Sequence, residues 1–236
     1  MLGSETLSQP IKMRMSALRS RLDKRNLLIH EIYSSIQGES SHMGRPCVFV
    51  RTTGCHLRCS YCDTEHAFFA GNEMSIKEIV RDVASFKIGL VEVTGGEPLL
   101  QSATFCLLDE LVALGYTVLL ETSGAISIGK VNQRVKVILD VKTPSSLEVK
   151  KNLWHNLMIL WPGCEVKFVI GSKEDYLFAT EICGRYGLFD RSHVLFSPVV
   201  AVLDPKLLVE WILQDQLPVR FQLQLHRVLY GEARGR

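Results

Sequence analysis

Short apolar runs rich in β-branched residues alternate with longer amphipathic stretches through most of this chain, and few architectures accept that order. Strands joined by helical crossovers run parallel, so the pattern predicts a parallel α/β fold. Residues 47–53, 89–94, 116–121, 135–141, 165–170, 193–197 and 219–225 read as strands, and 75–87, 103–114, 173–186 and 205–214 as helices. Ser75 followed by Glu78 makes a capping box at the first of these helices. Val135-Lys-Val-Ile-Leu-Asp-Val141 comes close to the continuous apolar run of a strand buried on both faces. Six or seven such units predict a full or partial (β/α) barrel.

Nearly every one of these strands ends in a small or polar cluster: Thr94-Gly95-Gly96-Glu97, Glu121-Thr122-Ser123-Gly124 and Asp140-Val141-Lys142-Thr143-Pro144-Ser145. Loops at the C-terminal ends of strands carry the chemistry of α/β folds, so the active face is expected there. Glu121 and Asp140 either belong to that face or cap the turns that follow. No repeat and no Gly, Ser or Pro linker divides the chain after residue 26, which reads as one domain over residues 27–236. Before it, over residues 12–25, Lys12, Arg14, Arg19, Arg21, Lys24 and Arg25 stand against Asp23 alone, and residues 1–26 are expected to be a flexible basic extension.

Twenty-seven basic and 25 acidic residues leave a net charge of +2, too little for bulk attraction to nucleic acid or an anionic membrane. No apolar run reaches the roughly 18–20 residues of a bilayer span. Neither nucleic acid nor membrane is therefore an expected direct partner. Seven cysteines, an odd number with three in eight positions, suit a reducing compartment better than a disulfide scaffold, and a cytoplasmic location is expected.

Those three are Cys55, Cys59 and Cys62, in Arg51-Thr-Thr-Gly-Cys55-His-Leu-Arg-Cys59-Ser-Tyr-Cys62-Asp-Thr64. Spacings of four and three let the sulfurs converge on one centre, and thiolates are the soft ligands of zinc and iron–sulfur clusters. A structural zinc site closes with four protein ligands, usually as two separated pairs. Only three are clustered here, with His56 or His66 as a candidate fourth. A cubane cluster held through three irons would leave its fourth iron open to a substrate or cofactor. A non-catalytic zinc-binding module and an iron–sulfur enzyme both stand at this point. Cys47, Cys106, Cys164 and Cys183 read as buried small hydrophobes.

Cys55-x-x-x-Cys59-x-x-Cys62 resembles the cluster loop of the radical S-adenosylmethionine superfamily, and Thr94-Gly95-Gly96-Glu97-Pro98 resembles that family's glycine-rich turn. The resemblance implies a partial (β/α) barrel of the radical S-adenosylmethionine type, with one 4Fe-4S cluster on Cys55, Cys59 and Cys62. S-adenosylmethionine would chelate the open iron, with Tyr61 by its adenine and Gly96 and Glu97 at its amino group. Glycines let backbone approach a ligand, and a carboxylate can accept from an ammonium. Asp63, Thr143, Pro144 and Ser145 are the further cofactor contacts that the resemblance implies.

Glu31-Ile-Tyr-Ser-Ser-Ile36-Gln37-Gly38-Glu39-Ser, Arg51, Cys62-Asp63-Thr64, Thr143-Pro144-Ser145 and Gln224-Leu-His226 resemble one subfamily of short chains, the 7-carboxy-7-deazaguanine synthases. The likeness runs from about residue 28 to the end. It implies Ile36, Gln37, Gly38, Glu39, Arg51 and Thr94 as contacts of the substrate 6-carboxytetrahydropterin, and Thr64 as a ligand of Mg2+. A pterin edge presents adjacent donors that suit Glu39 and the backbone of Gln37 and Gly38, and its carboxylate calls for a cation such as Arg51. The reduced cluster would cleave S-adenosylmethionine to a radical that takes hydrogen from the pterin, whose ring contracts with loss of ammonia. Expected partners are an electron donor such as flavodoxin or ferredoxin and, as one allowed assembly, a second copy in a homodimer. A glycyl-radical activase shares the cysteine spacing and is the rival enzyme. Arg51 alternatively reads as a surface charge on an edge strand, and His226 as a core histidine.

Overall fold

The computed structural model describes residues 26–231; the basic extension expected over residues 1–26 lies outside them apart from Asn26, which begins the first strand. The strands β1 (Asn26–Ile36), β2 (Pro46–Thr52), β3 (Asn72–Ser75), β4 (Leu90–Gly95), β5 (Thr117–Thr122), β6 (Lys136–Val141), β7 (Glu165–Ile170), β8 (His193–Pro198) and β9 (Arg220–Phe221) form one sheet. Their order is β3-β1-β2-β4-β5-β6-β7-β8-β9, and the sheet is not closed. From β2 through β4 to β9 all neighbours are parallel, whereas β1 runs antiparallel to β2 and β3. The architecture is a partial barrel, one of the two forms the alternation allowed and the one the resemblance implied.

Side chains alternate across each strand, and the two sets meet different partners. Val48, Val50, Val91, Val93, Leu120, Val137, Leu139, Val166, Phe168 and Phe196 belong to the main core. Helices α1 (Ile76–Ser85), α2 (Ala103–Ala113), α4 (Lys173–Tyr186) and α6 (Pro205–Gln214) add Ile79, Leu107, Leu111, Tyr176 and Leu208 to it. The opposite positions, Cys47, Phe49, Leu90, Leu119 and Ile138, make a smaller apolar cluster on the inner face. Higher on that face the same alternation exposes Arg51, Glu92, Thr94, Glu121, Asp140 and Lys167 to a cleft.

The connections obey their local signals. Ser75 caps α1 with the expected reciprocal box to Glu78. Asp204 caps α6 just before Pro205. The β5–β6 connection carries no helix, and α3 (His155–Met158) and α5 (Leu188–Arg191) are single turns. One expected strand is corrected: of residues 219–225 only Arg220–Phe221 pair with β8, and Gln224 instead starts α7 (Leu225–Tyr230). Leu225 donates its backbone N–H to Gly38, so this segment is drawn to the loop after β1 and away from the sheet edge.

The longest strand, β1, escapes a pattern search because its alternation breaks. Its register with β2 shifts between Ile29 and Glu31, leaving His30 as a bulge. A bulge reverses which positions face which side. Leu27 and Ile29 lie in the main core, whereas Glu31 and Tyr33 line the cleft. Among the described residues no helix is long and apolar enough to cross a membrane.

Phe168 has no exposed surface and meets Phe196 edge to face with centroids 5.7 Å apart. Phe168→Ala should cost about 3–5 kcal/mol, read from the shift of the denaturant midpoint; a cost under about 1 kcal/mol would mean that the outer layer refills the cavity. A pH effect is expected from His42, whose ring nitrogens lie 2.8 Å from Arg45 Nη1 and 3.2 Å from Lys136 Nζ. Burial, then Lys136 and Arg45, lower its pKa from 6.5 to about 4. The unfolded chain therefore takes up this proton first, and stability falls as pH drops from about 6.5 to 4. Melting temperatures of the parent and His42→Gln should diverge across that window and run parallel above it.

Candidate active site

The cysteine loop leaves the C-terminal end of β2 and is clamped from several sides. Gly54 donates its N–H to Ala67 O at 2.9 Å and accepts from Glu97 N at 2.8 Å. Arg58 Nη1 donates to the carbonyls of Cys55 and Leu57, its N–H goes to Glu148 Oε1, and its guanidinium lies 4.2 Å from the centre of the Phe68 ring. Ser60 donates through its N–H to Ser146 O and through its hydroxyl to Ser145 O. Gly96 makes the approach between this loop and the end of β4: a Cβ there would stand 2.4 Å from Gly54 O and 2.9 Å from Cys55 Cβ. No other residue fits that contact without displacing backbone.

All three expected thiols face one cleft of about 380 Å³, a size usual for small-molecule sites. Burial pushes the Cys55 thiol up to about 12 and that of Cys59 to about 11. Since thiolates are the ligating form, a metal bound by Cys55 and Cys59 would displace their protons. Cys47, Cys164 and Cys183 are buried as expected; Cys106 corrects that reading, since its place on α2 leaves it exposed.

A buried ion network forms the centre of the cleft. Lys167 Nζ lies 2.8 Å from Glu39 Oε2, donates to Glu121 Oε1 and stands 3.6 Å from Asp140 Oδ2. Lys142 Nζ is 3.1 Å from the same Asp140 oxygen. Burial by itself would raise the Asp140 carboxyl, but Lys142 and Lys167 outweigh it and hold it below the usual carboxylate range. Its other oxygen, Oδ1, is buried without a hydrogen-bond partner among the described residues, an acceptor that a bound donor would satisfy. Glu92, also buried, accepts from Gln37 Nε2; burial and then the neighbouring Glu121 carboxylate push its carboxyl well above the usual range.

Most expected site residues meet here. Ile36, Gln37, Gly38, Glu39, Arg51, Thr94, Gly96, Tyr61, Asp63 and Thr64 line the cleft with the three cysteines. Arg51 stands on β2 between β1 and β4, so the edge-strand alternative is corrected. Its Nε donates to Glu31 Oε1 at 2.7 Å and its Nη2 to Tyr33 Oη at 3.0 Å. Asp63 is held by Gln224 Nε2 at 3.2 Å and lies 3.7 Å from Arg227 Nη2. His226 lines the cleft, which corrects its reading as a core residue.

Four expected cofactor contacts stand behind the wall. Glu97 is fully buried, and its carboxylate accepts from Leu99 N, Thr122 Oγ1 and both donors of Ser123. Thr143 donates to Val169 O and touches the cleft only through the Tyr61 hydroxyl 3.2 Å away. Pro144 and Ser145 lie off the cleft wall, with Ser145 N donating to Asp175 Oδ1, and this turn braces the cysteine loop through Ser60. Glu92, Lys142 and Lys167 were missed. Their signal was a charge at an inward position of an otherwise apolar strand or just past its end, as in Leu-Val-Glu92-Val and Val-Lys167-Phe-Val.

Comparison with known proteins agrees with this geometry. The model of the radical SAM superfamily matches residues 49–149. The 7-carboxy-7-deazaguanine synthase of Chlorobaculum tepidum is 46% identical over 213 residues, 89% of this chain and 97% of that one. The synthase of the same name from Koribacter versatilis is 45% identical, covering 86% of this chain and 96% of its own. The crystal structure of QueE from Escherichia coli superposes with a TM-score of 0.72 at 20% identity, over 90% of this chain and 98% of that chain, and so shares its fold. Identity at this level over nearly the whole length places the chain in the 7-carboxy-7-deazaguanine synthase family of the radical S-adenosylmethionine superfamily.

Proposed function

We propose that the chain converts 6-carboxy-5,6,7,8-tetrahydropterin to 7-carboxy-7-deazaguanine with release of ammonia, a step in 7-deazapurine biosynthesis of the queuosine type. The observation that carries this reading is that the three thiols of the cysteine loop and a fixed guanidinium line one cleft with buried carboxylates. Cys55, Cys59 and Cys62 would hold a 4Fe-4S cluster, leaving one iron for S-adenosylmethionine. When bound, that pair supplies the electron and the carbon-centred radical that open the reaction.

The chain's own residues bind, orient and exclude water. Tyr61, Asp63 and Gly96 border the space beside the cysteines, and the orphaned Asp140 Oδ1 offers an acceptor for a donor of the bound cofactor. Glu97 and the turn at Thr143, Pro144 and Ser145 serve as braces. Glu39 and the backbone of Gln37 and Gly38 would read the pterin edge, with Ile36 and Thr94 flanking it; Lys167 Nζ, 2.8 Å from Oε2, holds the Glu39 carboxylate in place. Glu31 and Tyr33 fix the Arg51 fork for the substrate carboxylate. Thr64 would give a hydroxyl to Mg2+, an ion that prefers oxygen ligands and retains most of its waters. A one-electron donor of the flavodoxin or ferredoxin kind is required, and a homodimer is the proposed assembly. A cytoplasmic location is proposed from the odd number of cysteines and the crowding of three of them into eight positions.

Anaerobic reconstitution followed by incubation with the pterin and S-adenosylmethionine tests the reaction directly. Cys59→Ala should lose the cluster absorbance and cleavage of S-adenosylmethionine, while Cys106→Ala, on the surface of α2, retains both; the reverse result would refute the ligand set. Arg51→Ala should bind the pterin about ten- to a hundredfold more weakly, because a charge-assisted hydrogen bond contributes roughly 1.5–3 kcal/mol. Arg51→Lys should fall between, and affinity for S-adenosylmethionine should hold. Unchanged pterin affinity in Arg51→Ala, measured by calorimetry, would remove Arg51 from substrate recognition.

A further inference from the structure

We propose that His30, Glu31 and His66 form a second metal site beside Arg51, for a divalent transition ion of the zinc type. One ligand atom from each residue lies within 4.8 Å of the other two, and all three side chains are partly buried. The His30 and His66 ring centroids are 5.1 Å apart, and His66 Nε2 is 3.8 Å from Glu31 Oε1. Ligands at the roughly 2.0–2.2 Å bond lengths of a zinc ion sit about 3–3.5 Å from one another, so side-chain shifts of about 1 Å close the site.

The backbone prepares this arrangement. His30 is the bulged residue of β1, which breaks the strand's alternation and sets a histidine next to a glutamate that faces the cleft. His66 arrives from the opposite side, on the single turn Glu65–Phe68 that follows the cysteine loop. His30 Nδ1 is 2.8 Å from the Ala70 carbonyl, which can only accept, so the proton belongs on Nδ1 and the lone pair on Nε2. A histidine that ligates a metal commonly gives its other N–H to a carbonyl in this way. The carbonyl is itself fixed by Thr53 Oγ1 at 2.7 Å, and a Cβ on the adjacent Gly71 would stand 2.8 Å from Ile29 O, so the loop is pressed against β1.

Two imidazoles and a carboxylate select zinc, iron(II), cobalt or nickel over Mg2+, which sets this site apart from the one proposed at Thr64. Arg51 donates to Glu31 Oε1, the oxygen 3.8 Å from His66 Nε2, and a carboxylate oxygen that accepts one hydrogen bond keeps a second lone pair for an ion. The nearby guanidinium weakens binding of any further cation, so a moderate affinity is expected.

The test is calorimetric titration of the anaerobically reconstituted enzyme with Zn2+ in excess Mg2+, with iron content and cluster absorbance measured before and after. One Zn2+ per chain is expected, with an X-ray absorption edge showing nitrogen and oxygen neighbours and no sulfur. His30→Ala and His66→Gln should each weaken binding at least about tenfold. If only one of them folds, that one decides. Absence of stoichiometric binding, sulfur at the zinc, or affinity unchanged in a folded variant would overturn the site. Zinc binding is read without turnover, so an enzyme that takes up zinc and leaves the pterin unaltered would refute the function above and not this inference.

Discussion

Lys167 is a cation with almost no access to water, and much of the cleft answers to it. A charge left unpaired in such a place costs several kcal/mol, so its neighbours are part of the same solution. Glu39 comes from the loop after β1, Glu121 from β5 and Asp140 from β6, while Lys167 itself sits on β7. One ammonium thus ties a loop to three parallel strands. Lys142 shares Asp140 with it, and two lysines against three carboxylates leave the centre of the cleft receptive to donors.

This network can exist because the sheet divides its labour by residue parity. Each central strand turns one set of side chains to the helices and the other to the cleft. In β6 the main core takes Val137, Leu139 and Val141, while the inner face receives Ile138 and Asp140. The small apolar cluster that includes Phe49, Leu119 and Ile138 closes the inner face beneath the charged layer, so the ions work in surroundings where electrostatic attraction is stronger than in water. A radical reaction depends on that seclusion.

Supports outside the cleft wall matter as much as the wall. Glu97 spends its carboxylate on Leu99, Thr122 and Ser123, joining the ends of β4 and β5 just below the cysteine loop. The residues after β6 hold that loop through Ser60 and Arg58. The two neighbouring residues of the glycine-rich turn therefore differ in what they do for the loop: Gly96 admits the close approach to Gly54 and Cys55, and Glu97 ties the strand ends together.

Periodicity and motif spacing were enough to establish the parallel α/β class, most strand positions, the capping box of α1 and the cysteine loop, because each depends on contacts or geometry local in the chain. The side of the barrel bearing the cleft was also legible, since polar clusters follow the strands. Three things were decided by tertiary structure alone. The bulge at His30 hid β1 and turned Glu31 and Tyr33 toward Arg51, because register is set by the partner strand and not by the strand's own pattern. The ends at Gln224 and His226 became a cleft-lining helix, because Gly38 offered a hydrogen bond that a sheet edge did not. Lys167 acquired its meaning from Glu39, 128 residues away in the chain, and no local signal reports which buried cation will meet which carboxylate. Charge pairs of this kind are chosen by the fold, since burial makes an unmatched ion too costly to keep.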